Sequence, residues 1–264
     1  MILRLAGLFL VVTALLFGYS DNDIDGVDDS IDLCPGTAFD QVVDKNGCPQ
    51  NKLFPGKLIF QIGSDTSFNQ IDETISNLNI YANYMIKEWN FSLSNSNYYV
   101  TNLANDIAEN SLYLTAGYTV VKDKIRTRFS LGTKFDLTNR DNAVQERDND
   151  YYASVNVEYF FQKKQNLFFY YSYTLSGDSN TIDYQNFQSV SAGYGYSMTD
   201  KWYTALSYNY AQNYYPDTDD YKAVSWFNSY RFTQTTYATL NYAHTFDDIS
   251  YSHIVTFSIG IYFD

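Results

Sequence analysis

The sequence predicts an all-β protein whose main part is a transmembrane antiparallel up-and-down β-barrel of about 12 strands. Three observations predict this class. Stretches of about 10–13 residues alternate between apolar and polar side chains, and the links between them alternate between short and long. Aromatic residues make up 19% of the chain, and the mean hydropathy is −0.34. That hydropathy excludes a polytopic helical membrane protein, which needs repeated apolar runs of about 20 residues.

The charge balance excludes one large class of partner. The chain carries 30 acidic and 17 basic residues, for a formal net charge of −13. Binding to phosphate backbones needs clustered Lys and Arg, so nucleic acid is not an expected partner. The aromatic content also argues against a disordered chain.

Residues 1–20 have the three-part form of a secretory signal peptide. Arg4 supplies the positive charge, residues 5–17 are apolar, and the small residues Gly18 and Ser20 follow. A transmembrane anchor is the alternative interpretation. The apolar core of about 13 residues is shorter than the roughly 20 needed to span a bilayer, which favours a cleaved signal.

The segment 21–49 opens with an acidic loop. Carboxylates occupy loop positions one, three, five, nine and twelve: Asp21, Asp23, Asp25, Asp29 and Asp32. Gly26 permits a sharp turn, and the backbone carbonyl of Val27 offers a further oxygen. Such a set of oxygens converging on one hard cation predicts calcium binding, and an acidic solvated linker is the alternative.

The same segment contains both cysteines of the chain, Cys34 and Cys48. In an exported protein two cysteines predict one disulfide, and here it closes a loop of about 15 residues. Free thiols or a zinc pair are less favoured, because no His or second Cys pair is near. A segment of roughly 30 residues buries little core, so a disulfide and a metal would supply its stability.

The motif D-x-D-x-D-G-x-x-D-x-x-D-x-C-P, continuing to V-D-x-N-G-C-P, resembles a thrombospondin type 3 repeat over residues 21–49. The resemblance implies calcium ligation by Asp21, Asp23, Asp25, the Val27 carbonyl and Asp32, with Asp29 acting through water. Such repeats in bacterial envelope proteins usually link an outer-membrane barrel to another periplasmic module. In this chain the repeat instead precedes the β-rich region.

After a linker at 50–56, residues 57–264 form the predicted barrel. Twelve alternating stretches are expected near 57–64, 75–87, 89–100, 111–121, 125–137, 151–161, 167–176, 186–198, 201–212, 221–232, 236–246 and 252–263. Soluble sandwiches use strands of about 5–6 residues, whereas tilted membrane strands need about 9–11. An even strand count with short turns on one side predicts that both termini are periplasmic.

Aromatic and charged residues are segregated along the predicted barrel. Trp89, Phe161, Trp202 and Phe263 fall at the short-turn ends, where rings favour the membrane interface. The final strand resembles the C-terminal recognition strand of outer-membrane barrels, which usually ends in Phe, although Asp264 follows here. The long loops hold about sixteen acids against two bases. We expect either a solvated acidic surface or acids that share divalent cations with anionic lipid headgroups.

The inward face is predicted to be polar, as in a porin-like lumen. The expected inward residues are Arg126, Arg128, Lys134, Asp136, Asn156, Glu158, Tyr170, Ser172, Thr174, Ser189 and Ser191. Arg128 is expected near Glu158, either as a bridge that closes the lumen or as part of a charged constriction.

These features predict an outer-membrane protein with its calcium repeat on the periplasmic side, and a narrow porin-like channel for small solutes. A structural or adhesive envelope protein with a closed barrel is the alternative. Expected partners are outer-membrane lipid, lipopolysaccharide and the barrel-assembly machinery acting on the last strand. A hydrolase is a remote alternative: His244 and His253 lie near Asp247 and Asp248, but no nucleophile motif accompanies them.

Overall fold

The chain divides into two compact units, Met1–Asn51 and Lys52–Asp264. The computed structural model describes residues 21–37, 43–49, 56–68, 74–96, 100–101, 111–136, 148–179, 183–216, 218–246 and 252–263. The predicted signal peptide and residues 50–55 of the predicted linker lie outside these ranges. Among the described residues, no helix has the length and apolar character needed to cross a membrane.

The described part of the first unit is a small loop structure held by one disulfide. Cys34 and Cys48 are bonded, with their Cα atoms 5.0 Å apart, as the sequence predicts. Backbone hydrogen bonds join the same two segments, including Leu33 N to the Asn46 carbonyl at 2.8 Å. The side chain of Leu33 is 71% exposed. The described part of this unit therefore depends on cross-links rather than on a large apolar core.

The second unit is one antiparallel sheet that closes on itself. Its strands are β1 (Lys57–Phe68), β2 (Thr74–Ile86), β3 (Trp89–Ser96), β4 (Val100–Thr101), β5 (Ser111–Lys122), β6 (Ile125–Asp136), β7 (Asp150–Gln162), β8 (Gln165–Leu175), β9 (Phe187–Thr199), β10 (Trp202–Ala211), β11 (Tyr221–Arg231), β12 (Thr236–Thr245) and β13 (His253–Phe263). Apart from the short β4, which pairs with β2, neighbours in sequence are neighbours in the sheet, and β1 pairs with both β2 and β13. Because β3 and β4 pair with different parts of β2, the described residues form a closed barrel of 12 strand positions.

The predicted strands are confirmed, although most of their ends differ from the predicted bounds, usually by one or two residues. β1 continues to Phe68, four residues beyond its predicted end, because its full length pairs with β2 and β13. β7 begins at Asp150, which the sequence placed in a loop. The predicted strand 89–100 is divided into β3 and β4. The all-β, up-and-down barrel is otherwise as the alternation predicts.

The barrel is apolar outside and polar inside, the reverse of a soluble protein. Large apolar side chains such as Leu131 (69% exposed) and Leu206 (56% exposed) point outward, while Ser111 and Ser258 are buried. This distribution suits a hydrocarbon solvent.

The aromatic rim predicted at the short-turn ends is present in the described strands. Trp89 packs edge-on against Tyr118, with ring centroids 5.0 Å apart. The Trp202 indole donates to Asn228 Oδ1 at 3.2 Å. The ring of Tyr230 contacts that of Phe232 at 5.3 Å. Rings with one polar atom at strand ends are typical of a membrane interface.

Candidate channel lumen and calcium loop

The predicted charged lumen residues lie on the polar face of β6 and β7. Arg126, Arg128 and Lys134 alternate with the exposed residues Phe129 and Leu131 along β6. Glu158 occupies the same face of β7. Asp136 ends β6, and its side chain lies outside what the structure describes. The alternation therefore places the described members of this set on one wall of the lumen.

The ion pair on this wall forms between Arg126 and Glu158 rather than Arg128 and Glu158. Arg126 Nη2 lies 2.6 Å from Glu158 Oε2, because the two residues are direct partners in the strand register. Arg128 lies opposite Asn156, and its Nε donates to Thr119 Oγ1 at 3.2 Å. The predicted pairing of Arg128 was wrong by one inward position.

A second charged pair was missed at the loop end. Lys134 Nζ is 3.8 Å from Asp150 Oδ2, and the Asp150 side chain is 3% exposed. Asp150 Oδ1 also accepts a hydrogen bond from the Gly177 amide at 2.8 Å. The sequence did contain a signal for this position. Asp150 lies an even number of residues before Glu158 on the same strand, so alternation places both side chains on the inward face.

Tyrosine side chains lie across inward glycines of neighbouring strands. Tyr152 on β7 lies over Gly132 on β6 and meets the hydroxyl of Thr115 on β5. A Cβ at Gly132 would overlap the Tyr152 ring. Two similar arrangements bridge three strands each: Tyr203 over Gly195 to Asn166, and Tyr237 over Gly260 to Gln61. Each phenol oxygen thus links strands that are not direct neighbours.

The loop end of the lumen contains a cavity of about 480 Å³. Hydroxyl, amide, aromatic and charged side chains line it together. Its lining includes Tyr113, Lys134, Asp150, Tyr152, Tyr170, Ser172, Thr174, Phe187, Gln212 and Tyr221. Of the predicted inward residues, Lys134, Tyr170, Ser172 and Thr174 therefore surround one space.

The short-turn end of the lumen contains a packed cluster of aromatic and basic side chains. The rings of Tyr237 and Tyr262 are 4.8 Å apart, and Lys57 Nζ lies 4.3 Å from the centre of the Tyr262 ring. Lys57 and Tyr237 are each only 7% exposed. A cation is attracted to an aromatic face where water is excluded, so these side chains stay packed together. Because they lie on the inward face, they take up part of the lumen and narrow it.

The acidic loop brings its first three predicted ligands together. One carboxylate oxygen from each of Asp21, Asp23 and Asp25 lies within 4.8 Å of the others. Oxygens bound to one calcium ion at 2.3–2.6 Å are at most about 5.2 Å apart, so this spacing fits. Backbone amides order the loop, including Gly26 N to Asp21 Oδ2 at 2.9 Å and Gly36 N to Asp23 Oδ2 at 2.7 Å.

Gly47 lets a fourth predicted ligand approach the loop. A Cβ at Gly47 would overlap the Asp32 carboxylate and lie 3.3 Å from Asp25 Oδ2. The Asp25 side chain is buried, and its Oδ2 has no hydrogen-bond partner among the described residues. A buried carboxylate oxygen without a donor is costly unless a cation neutralises it, which suits the calcium prediction.

Asp29 and Val27 have separate surroundings. Asp29 Oδ1 accepts a hydrogen bond from the Asn22 amide at 2.7 Å, and Val27 N donates to Asp25 Oδ1 at 2.9 Å.

Burial raises the pKa of Asp21 to about 6 and also raises the pKa of Asp25. Nearby carboxylates add to both shifts, so the loop carries closely spaced negative charge that a divalent ion would stabilise.

The two histidines considered for hydrolysis contact each other. His244 and His253 are direct partners on β12 and β13, and their ring centroids are 4.9 Å apart. His244 Nδ1 is 2.9 Å from the Ser252 carbonyl, a contact that does not provide the carboxylate partner of a catalytic base. Asp247 and Asp248 lie outside the described residues.

No family model matches the sequence, and no curated protein matches it. Among solved structures, the fold is similar to an outer-membrane channel from Pseudomonas putida F1, with a TM-score of 0.59, 10% identity, and coverage of 80% of this chain and 97% of that one. The KdgM porin gives a TM-score of 0.54 at 9% identity, covering 78% of this chain and 98% of that one. The NanC porin gives 0.53 at 14% identity, with 78% and 99% coverage. The barrel therefore shares the closed antiparallel fold of these outer-membrane barrels.

Proposed function

We propose that this protein is an outer-membrane channel for small polar solutes, with a calcium-binding repeat on its periplasmic side. The observation that carries the channel proposal is the cavity of about 480 Å³ inside a closed barrel, lined by hydroxyl, amide, charged and aromatic side chains. Cavities of roughly 300–1,000 Å³ accommodate small ligands. The similar solved structures are themselves described as porins or channels, which supports this proposal.

The membrane setting follows from the outer surface of the barrel. The outward apolar belt would contact outer-membrane lipid, and the acidic long loops would face lipopolysaccharide. In the usual orientation of such barrels the short turns are periplasmic, which puts the segment before β1 on that side. β13 closes the barrel against β1, and the barrel-assembly machinery would act on this strand.

Liposome swelling with sugars of graded size tests the channel. We expect wild-type protein to admit small sugars and to exclude larger ones. Ser172→Trp would fill part of the lumen cavity and slow entry, because Ser172 lines it. Tyr173→Trp is the matched control, since Tyr173 is the next residue of β8 and is 42% exposed on the outer face. Wild-type vesicles that swell no faster than protein-free vesicles would contradict the proposal.

A closed barrel that only anchors the repeat is the second candidate. The packed cluster of Lys57, Tyr237 and Tyr262 at the short-turn end favours it. In that case wild-type vesicles would not swell, whereas a double variant Tyr237→Ala with Tyr262→Ala would admit solutes. If the lumen is already open, the double variant would only increase an existing rate.

The thrombospondin type 3-like repeat is proposed to hold one calcium ion. The supporting observations are the convergence of Asp21, Asp23 and Asp25 and the buried Asp25 Oδ2. Titration calorimetry of calcium into the full chain tests it. Asp25→Asn should abolish most of the binding, whereas Asp28→Asn should not, because Asp28 binds Ser30 and is outside the proposed ligand set. Equal calcium affinity in wild type and Asp25→Asn would contradict the proposal.

A further inference from the structure

The hairpin of β12 and β13 carries a pair of histidines at the loop end of the barrel wall. His244 and His253 are cross-strand partners, and their rings stack at an interplanar angle of 26° with centroids 4.9 Å apart. They are the only histidines of the chain. Their face also carries Tyr242 and Phe246, which are exposed, so the pair lies on the outer surface rather than in the lumen.

Each ring has a hydrogen-bond partner at Nδ1. His244 Nδ1 lies 2.9 Å from the Ser252 carbonyl, and His253 Nδ1 lies 2.8 Å from the Tyr242 hydroxyl. A carbonyl oxygen can only accept, so His244 Nδ1 carries the proton and Nε2 of the neutral ring keeps its lone pair. The Tyr242 hydroxyl can accept as well as donate, so His253 can adopt the same tautomer.

This arrangement is the one that metal-bound histidines use. Their second ring nitrogen usually donates to a carbonyl or another oxygen, which fixes the tautomer and the direction of the ring. Metal–nitrogen bonds of about 2.0–2.1 Å place two nitrogens of a tetrahedral ion roughly 3.4 Å apart. The ring centroids are 4.9 Å apart, so binding of both rings to one ion would require their side chains to rotate so that the two Nε2 atoms converge.

We propose that His244 and His253 form a binding site for a divalent transition-metal ion on the outer surface of the barrel, with Nε2 of each ring as ligand. Imidazole favours copper, nickel and zinc, and among them copper binds most tightly. Calcium prefers oxygen ligands, so this site is chemically distinct from the acidic loop. The remaining positions would be open to water, because the pair lies at the loop end of β12 and β13, where His253 is exposed and His244 partly so.

Calorimetry and copper spectroscopy on the full chain without a histidine tag test the site. Saturating calcium is included to occupy the acidic loop. We expect one copper site with nitrogen coupling in its paramagnetic resonance spectrum. His244→Asn should weaken binding strongly, since asparagine can still donate to the Ser252 carbonyl but lacks Nε2. His253→Asn should do the same.

Two further variants separate a built site from adventitious binding. Tyr242→Phe keeps the stacked rings but removes the oxygen near His253 Nδ1, so affinity should fall about tenfold, less than with either asparagine variant. Asp28→Asn, which lies outside both proposed ligand sets, should leave copper binding unchanged. The proposal is overturned if wild type shows no site, or if both asparagine variants bind copper as wild type does. Because His253 is exposed, His253→Asn keeps the test available if His244→Asn fails to fold.

Discussion

At the level of single residues, glycine and tyrosine together shape the lumen wall. Gly132 has no Cβ, so the Tyr152 ring can lie against β6 and reach Thr115 beyond it. A ring held along the wall leaves more of the lumen open than one projecting toward its centre. The phenol oxygen also obtains a partner where water is limited, which avoids the cost of an unpaired polar group.

We predict that Gly132→Val destabilises the barrel by about 1–3 kcal/mol, because its side chain would displace the Tyr152 ring. Urea unfolding in lipid vesicles measures the change. The same substitution in a Tyr152→Ala background should cost less, since the obstructing ring is gone. Equal costs in the two backgrounds would show that the ring is not the cause.

The charged pairs predict ion selectivity. Glu158→Gln removes the partner of Arg126 and should shift the channel toward anions, while Arg126→Gln should shift it toward cations. Reversal potentials across a salt gradient in planar bilayers give the sign of each shift. Shifts in the same direction for both variants would contradict a role for this pair in the conducting path.

At the level of elements, the strands could be predicted because membrane spanning imposes both a length and a period. β6 shows this most clearly, since Ile125, Phe129 and Leu131 face outward and the residues between them face inward. The hydrophobic pattern fixes which face a residue takes, so the lumen face was predictable. Asp150 was assigned to a loop only because strand ends are less sharply marked than strand centres.

The register across a long loop could not be predicted. β6 and β7 are joined through residues 137–149, and a connection of that length does not set which residues lie opposite each other, as a tight turn does. The ion pair therefore forms at Arg126 instead of Arg128. The tyrosine contacts across Gly132, Gly195 and Gly260 depend on the register of three strands and were missed for the same reason.

The acidic loop makes a prediction about pH. Burial raises the pKa of Asp21 from 3.8 to about 6, so between these values the folded, calcium-free loop holds a proton that the unfolded chain releases. The stabilisation that protonated Asp21 gives the folded loop is therefore complete below about pH 4 and is lost as the pH rises through about 6. Calcium requires the carboxylate, so its affinity should change in the opposite direction.

Calorimetry at pH 5 and pH 7.5 checks this sign. Calcium should bind more tightly at the higher pH, and Asp28→Asn, the control outside the ligand set, should show the same pH dependence as wild type. An affinity that does not differ between the two pH values would exclude Asp21 as a ligand that must lose a proton.

At the level of the whole molecule, the central feature is a closed wall that is apolar outside and polar inside. The outer belt suits the barrel to a membrane, while a cavity of about 480 Å³ lies at the loop end of the lumen and the packed cluster of Lys57, Tyr237 and Tyr262 lies at the short-turn end. A narrow conduit that selects by size and charge is consistent with both features.

Single-channel recording in planar bilayers tests whether the barrel conducts. Refolded protein would be recorded first with calcium and then with a chelator. We predict discrete, small current steps in calcium; a change on chelation would couple the repeat to the channel, whereas steady current would make the repeat a spacer. Absence of current steps in both conditions, from protein shown to be folded, would contradict the channel and leave a barrel that only anchors the repeat.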